Sequence, residues 1–448
     1  MNPKWRLGAL LALCVAVLVS WRGSGQLTVL SWLASITDRL LGIGGMSTYD
    51  PQQIAERKQR VEAILSGVRG KPMHRVEDMT FPGSDGFAVP VRIYHPNATA
   101  ASLGEPLPAI IYLHGGGWVF GSVDAFDSVA RALAAAANSI VLSVGYRQPP
   151  AHPFPRALED AAAALRWARR GGARALGADA ARVALVGDSA GGNLAAAAAL
   201  AAAGGRVAEG FRQLSGRRRA LCAVVLGSPV LSRAHARRAA GSYARYGGGA
   251  HLLSRATMEL YWDLYLGAVG GEGGGKGGGG CVAAAPLRRG RPLYAQIRRP
   301  PPPALIWILG VLASRCHVAI HHSRHFTTHS VFVMDTAGED WRASPLRAPA
   351  WRLRALPPTL VVYAKQEVVA DEVEAFSARV AAAGGGGTDG GSSNDGGGSS
   401  GSGGGGGAQG PVTLRRYDAT LHGFFAREGM SNGLDSLADT ARFIRQHC

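Results

Sequence analysis

RVALVGDSAGGNLAAA, residues 182–197, changes its period in the middle. Val183 to Val186 is an unbroken apolar run, as expected of a strand buried on both faces. From Gly191 onward the chain is rich in Ala and Leu, a helical composition. Between the two lies Gly187-Asp188-Ser189-Ala190-Gly191, a G-x-S-x-G pattern at a strand-to-helix turn. That context is the one a nucleophile elbow needs: small neighbours permit the tight turn. The helix N-terminus beneath Ser189 favours developing negative charge.

Working outward, AIIYLH (109–114), SIVLSVGYR (139–147), LCAVVLGSP (221–229) and TLVVYA (359–364) read as further buried strands. MTFPGSDGFAVPVRIYHP (79–96) reads as two short strands around the Ser84-Asp85-Gly86 turn. Helices are expected over about 49–67, where Ile54, Val61, Ile64 and Leu65 fall at helical spacing, and over about 155–170. Apolar strands alternating with helices predict an α/β fold, a mostly parallel sheet covered on both faces.

Two further patterns sit where an elbow serine would need partners. His114-Gly115-Gly116-Gly117-Trp118 directly follows a buried strand, and its bare glycines let backbone N–H groups approach a substrate oxygen. With the N–H of Ala190, those of Gly116 and Gly117 form a candidate oxyanion hole. Near the C-terminus, Leu421-His422-Gly423-Phe424-Phe425 follows the strand VTLRRYD (412–418). His422 thus comes last in chain order, as a Ser…acid…His triad on such a sheet requires.

Composition narrows the class. The 448 residues are 47% hydrophobic and 18% charged, so a large core is available and global disorder is excluded. The net charge of +17 is uneven. Residues 281–333 carry seven Arg and no Asp or Glu, and 206–238 carry eight Arg against Glu209 alone. Both clusters fall in the expected inserts or cap, so no nucleic-acid partner is expected. Five scattered Cys argue against a disulfide scaffold, and with no C-x-x-C pair a structural zinc site is not expected. The run His317, His321, His322, His325 and His329 lacks neighbouring carboxylates or paired Cys, so no metal is assigned.

Lys4 and Arg6 precede an apolar run from Leu7 to Trp21, and a second runs from Leu27 to Ile43. Residues 1–45 therefore read as a signal peptide or signal anchor. The expected location is the secretory pathway or the endoplasmic reticulum membrane, with a plastid or other organelle as the alternative. The sequon Asn97-Ala98-Thr99 agrees with the first. Residues 46–447 form the catalytic domain on this reading. Residues 270–280 and 384–410 are Gly/Ser-rich loops. Residues 270–333 read as an atypical insert; within it, 281–333 shows no core-facing period and reads as lineage-specific or retained intron sequence, with a cap-domain extension as the alternative.

The blocks HGGGWVFGSVDAFDSVARALA, YRQPPAHPFPRALEDAAAALRWA, RVALVGDSAGGNLAAA and LRRYDATLHGFF resemble the hormone-sensitive-lipase family of α/β-hydrolases. That family includes carboxylesterases, arylacetamide deacetylases and the plant gibberellin receptor and carboxylesterase group. The resemblance implies serine esterase chemistry on a small-molecule ester, without metal or cofactor. It also implies a cap drawn from about 46–75 and 230–266. An acid follows the strand matching TLVVYA in the family, with a second acid four residues on. Here the text is YAKQEVVADEVEAF, which places Glu367 at the triad position and leaves Asp371 as the alternative. Gly145 and Ala151 replace acids common in the family, which predicts looser packing beside the site. Two other readings stand beside the esterase: a gibberellin-type receptor that binds without turnover, and a long-chain lipase. Acyl length and oligomeric state are not readable from the sequence.

Overall fold

A computed structural model describes residues 48–68, 70–97, 105–203, 221–238, 240–248, 253–269, 338–384, 412–418, 420–428, 430 and 432–448. The expected signal segment, the 270–333 insert and nearly all of the 384–410 loop lie outside the described residues. No helix among the described residues is long and apolar enough to cross a membrane.

The sheet has eight strands: β1 (Arg75–Pro82), β2 (Ala88–His95), β3 (Leu107–Leu113), β4 (Ile140–Val144), β5 (Ala178–Asp188), β6 (Ala223–Gly227), β7 (Thr359–Ala364) and β8 (Val412–Tyr417). Their order is β1-β2-β4-β3-β5-β6-β7-β8. The hairpin β1–β2 is antiparallel and joins β4 antiparallel, while every later pairing is parallel. β4, β6 and β7 are buried at every position, which is why they read as continuous apolar runs.

The helices are α1 (Pro51–Ser66), α2 (Asp127–Ala137), α3 (Arg156–Trp167), α4 (Ala190–Ala203), α5 (Arg233–Arg238), α6 (Gly241–Tyr246), α7 (Arg255–Tyr265), α8 (Ala350–Arg354), α9 (Ala370–Ala383) and α10 (Gly433–His447). Each face of the sheet has its own core. On one, α3, α4 and α9 pack through residues such as Leu158, Leu194 and Phe376. On the other, α2 and α10 pack through Val129, Leu133, Leu437 and Ile444. α4 is buried from Ala190 to Ala202, so its composition, apolar apart from Asn193, is that of a central helix rather than an amphipathic one. α1 begins at Pro51, and the Asp50 carboxylate accepts from the N–H groups of Gln52 and Gln53 at 2.9 and 3.2 Å. That pairing caps the helix.

Cys222, just before β6, is bridged to Cys448 at the end of α10, across a sequence separation of 226. The cysteine pattern gave no sign of this pair. Arg147 lies in the loop that carries Gly145 and Ala151. Its guanidinium donates to the buried Asp160 at 2.7 Å and to Asp85 at 2.6 Å, so this loop is tied by an ion-pair network despite Gly145 and Ala151.

Candidate active site

Ser189 sits between β5 and α4 with a φ of +53°, in the left-handed region. Three backbone bonds hold it there: its N–H donates to the Gly227 carbonyl at 2.7 Å, and its carbonyl accepts from the N–H groups of Asn193 at 3.0 Å and Val230 at 3.2 Å. The glycines around it are spatial necessities. A Cβ on Gly187 would lie 2.3 Å from the Gly191 carbonyl oxygen, and one on Gly191 would lie 2.0 Å from that of Leu113. The turn therefore closes because positions 187 and 191 carry no side chain.

Ser189 Oγ lies 2.8 Å from His422 Nε2, and His422 Nδ1 lies 2.7 Å from Glu367 Oε2. Glu367 is fully buried, in the loop between β7 and α9, and its Oε1 accepts from the Ala364 N–H at 3.0 Å. The carboxylate is thus held on both oxygens, and it fixes the imidazole with Nε2 turned to the serine. Asp371 lies elsewhere. It is on the first turn of α9, where it accepts from the Ser242 N–H at 2.7 Å and from Arg245 at 2.9 Å. The structure brings Glu367, not Asp371, to the histidine.

The loop after β3 runs beneath the serine. Gly116 and Gly117 have φ of +116° and +60°. Among the described residues, no acceptor is bonded to either N–H. Ala190 is the first residue of α4, so its N–H has no partner within the helix. The residues named in advance for the oxyanion hole are therefore placed with spare donors beside Ser189. Asp188 supports the loop: its Oδ1 accepts from the Tyr112 hydroxyl at 2.7 Å and from the Gly115 N–H at 3.1 Å. Burial raises the Asp188 pKa, and the Tyr112 bond opposes that rise. His114 is buried and held at about 4 by desolvation, so it is neutral at neutral pH. Its Nδ1 is 2.8 Å from the Gly115 carbonyl, and the Tyr146 hydroxyl donates to its own carbonyl at 2.8 Å. His114 therefore shapes the turn through these contacts.

These groups open on a cavity of about 310 Å³. Its walls are mostly apolar: Val61 and Leu65 from α1, Phe120 and Phe126, and Met258 and Tyr261 from α7. α7 docks on the glycine loop through aromatic packing. Trp118 stacks on Tyr265 at 4.3 Å and meets Trp262 at 4.8 Å. α1 is pinned to the same loop. The Ser122 hydroxyl donates to Glu62, and Lys58 donates to Gln148 Oε1 at 2.7 Å. Gln148 Nε2 in turn donates to the Gly121 carbonyl at 2.9 Å. Sequence reasoning missed Tyr112, Tyr146, Tyr261 and Arg427 as site residues. Arg427 had a signal, since it stands five residues after His422 in the same loop. Among the described residues, no group of three or more metal-ligating side chains occurs.

Residues 110–273 match the family model for the alpha/beta hydrolase fold. Over 126 residues, 28% of this chain and 38% of its relative, the sequence is 47% identical to carboxylesterase NlhH of Mycobacterium tuberculosis. Over 220 residues, 49% of this chain and 64% of its relative, it is 34% identical to an ethyl acetate hydrolase of Pseudomonas putida. The matched stretches thus span less than two thirds of these curated relatives. Among solved structures, the hyperthermophilic esterase of Pyrobaculum calidifontis superposes with a TM-score of 0.60 at 25% identity, covering 92% of this chain and 97% of that one.

Proposed function

We propose that this chain, an alpha/beta hydrolase resembling the carboxylesterases of the hormone-sensitive-lipase family, hydrolyses carboxylic esters of small to medium acyl length. One observation carries the reading. Ser189, His422 and Glu367 form a hydrogen-bonded relay of 2.8 and 2.7 Å that opens on an apolar cavity beside glycine N–H groups. Ser189 Oγ attacks the ester carbonyl while His422 Nε2 takes its proton. The oxyanion is met by the N–H groups of Gly116, Gly117 and Ala190. His422 then gives the proton to the leaving oxygen, and Glu367 stabilises the imidazolium meanwhile. Water cleaves the acyl-enzyme by the same base. α1 and α5–α7 act as the cap that excludes bulk water.

Hydrolysis of p-nitrophenyl esters from acetyl to palmitoyl tests this. Activity is expected to peak at short to medium chains. Ser189→Ala is expected to lose at least about 10⁴-fold in kcat, and Glu367→Gln on the order of 10⁴-fold. Activity that rises toward palmitoyl would favour a lipase. Saturable ligand binding with no turnover would favour a receptor.

A further inference from the structure

Among the described residues lining the catalytic cavity, Arg427 is the one lysine or arginine. It is half-buried, and its guanidinium lies over the face of Phe126, itself a wall residue, at 4.8 Å. That stacking fixes the cation's position without neutralising it. The neighbouring acids are engaged by other groups. Asp188, which lines the same cavity and feels the Arg427 charge through space, has its Oδ1 taken by Tyr112 and Gly115; Asp127 pairs with Arg131 at 2.6 Å, and Glu428 pairs with Lys71 at 2.9 Å. Among the described residues, no carboxylate lies within ion-pairing distance of Arg427. A cation held partly out of water in an apolar pocket gains most from an anionic ligand that completes its hydrogen bonds.

The reaction fixes which part of the substrate faces it. His422 Nε2 must deliver its proton to the leaving oxygen, so the alcohol portion lies on the side of His422. Arg427 lies in the same β8–α10 loop as His422, and both line the cavity. We propose that Arg427 is a specificity-determining residue that receives a carboxylate on the alcohol portion of the ester, so that the favoured substrates are acyl esters of hydroxycarboxylic acids. This rests on the esterase reading above. The Ser189 Oγ–acyl bond forms as the bond to the hydroxycarboxylate oxygen breaks, and that oxygen leaves with the proton from His422. Water then releases the acyl group as a carboxylic acid, so one ester and one water give one acid and one hydroxycarboxylate.

The test compares 4-butyryloxybenzoate with its methyl ester, which removes the charge and keeps the ring. The readout is the ratio of the two kcat/KM values, in which differences in intrinsic ester reactivity cancel between wild type and variant. The wild type is expected to favour the carboxylate. Arg427→Gln is expected to reduce that preference by about tenfold or more, the scale of one charge-assisted contact. Arg427→Lys, which keeps the charge and loses the fork, is expected to retain part of it. A ratio unchanged within about twofold in Arg427→Gln, with Ser189-dependent hydrolysis of both esters, would overturn the inference and leave the esterase standing. A second arm needs no turnover: calorimetric binding of 4-hydroxybenzoate against methyl 4-hydroxybenzoate. Tighter binding of the carboxylate that is lost in Arg427→Gln would support the anion site even where hydrolysis fails. Equal binding of the two would overturn it.

Discussion

At Gly117 two constraints meet. Its φ is +60°, and a Cβ there would lie 2.2 Å from Tyr261 Cδ2. Alanine at this position must both strain the backbone and push α7 off the glycine loop. Gly117→Ala is therefore expected to lower kcat by about 100-fold or more, the loss typical of one oxyanion donor. A well-folded variant with near wild-type kcat would remove Gly117 from that role. The glycines and the serine were legible because their spacing is local: the elbow and the HGGG turn each need small residues within a few positions. The acid was less so. Glu367 and Asp371 are four residues apart, and only the start of α9 at Ala370 separates them. It leaves Glu367 in the loop facing His422 and carries Asp371 toward α6.

Elements of the sheet followed the apolar runs closely, but their ends did not. β1 begins at Arg75, earlier than the apolar text at Met79 suggested, because its antiparallel pairing with β2 extends through Arg75 to His95. Pairing partners, not local propensity, set that limit. α9 holds a second lesson. Glu372 is fully buried; its Oε1 accepts from the Leu231 N–H at 2.9 Å, and its Oε2 has no bonded partner among the described residues. Burial pushes its pKa well above the ordinary carboxylate range, and the nearby Glu367 adds to the rise. A carboxyl whose pKa is raised on folding contributes stability below its unfolded pKa and loses it as pH climbs through the folded value. Glu372→Gln keeps the amide-sized group and removes the titration. Its Tm relative to wild type is expected to improve from pH 4.5 to pH 8. A difference that stays flat over that range would show that Glu372 is ionised in the folded protein.

Over the whole molecule, long-range partners were the part the sequence concealed. The Cys222–Cys448 bridge ties β6 to the last helix, and nothing in the spacing of five cysteines singles out that pair. The cavity walls come from α1, the glycine loop, α7 and the His422 loop, which are far apart in the chain. Their apolar residues were readable as core and not as pocket, since burial against a partner and burial against a substrate leave the same composition. On the proposed reading, what the chain brings together is one activated serine. Intact-protein mass spectrometry after exposure to a 4-nitrophenyl alkylphosphonate tests that directly, because an activated serine hydroxyl displaces nitrophenolate and stays phosphonylated. The full chain is expected to gain one phosphonyl group, mapped to Ser189, and Ser189→Ala is expected to gain none. A folded wild-type protein that remains unmodified, or one modified equally in Ser189→Ala, would contradict the assignment of Ser189 as nucleophile.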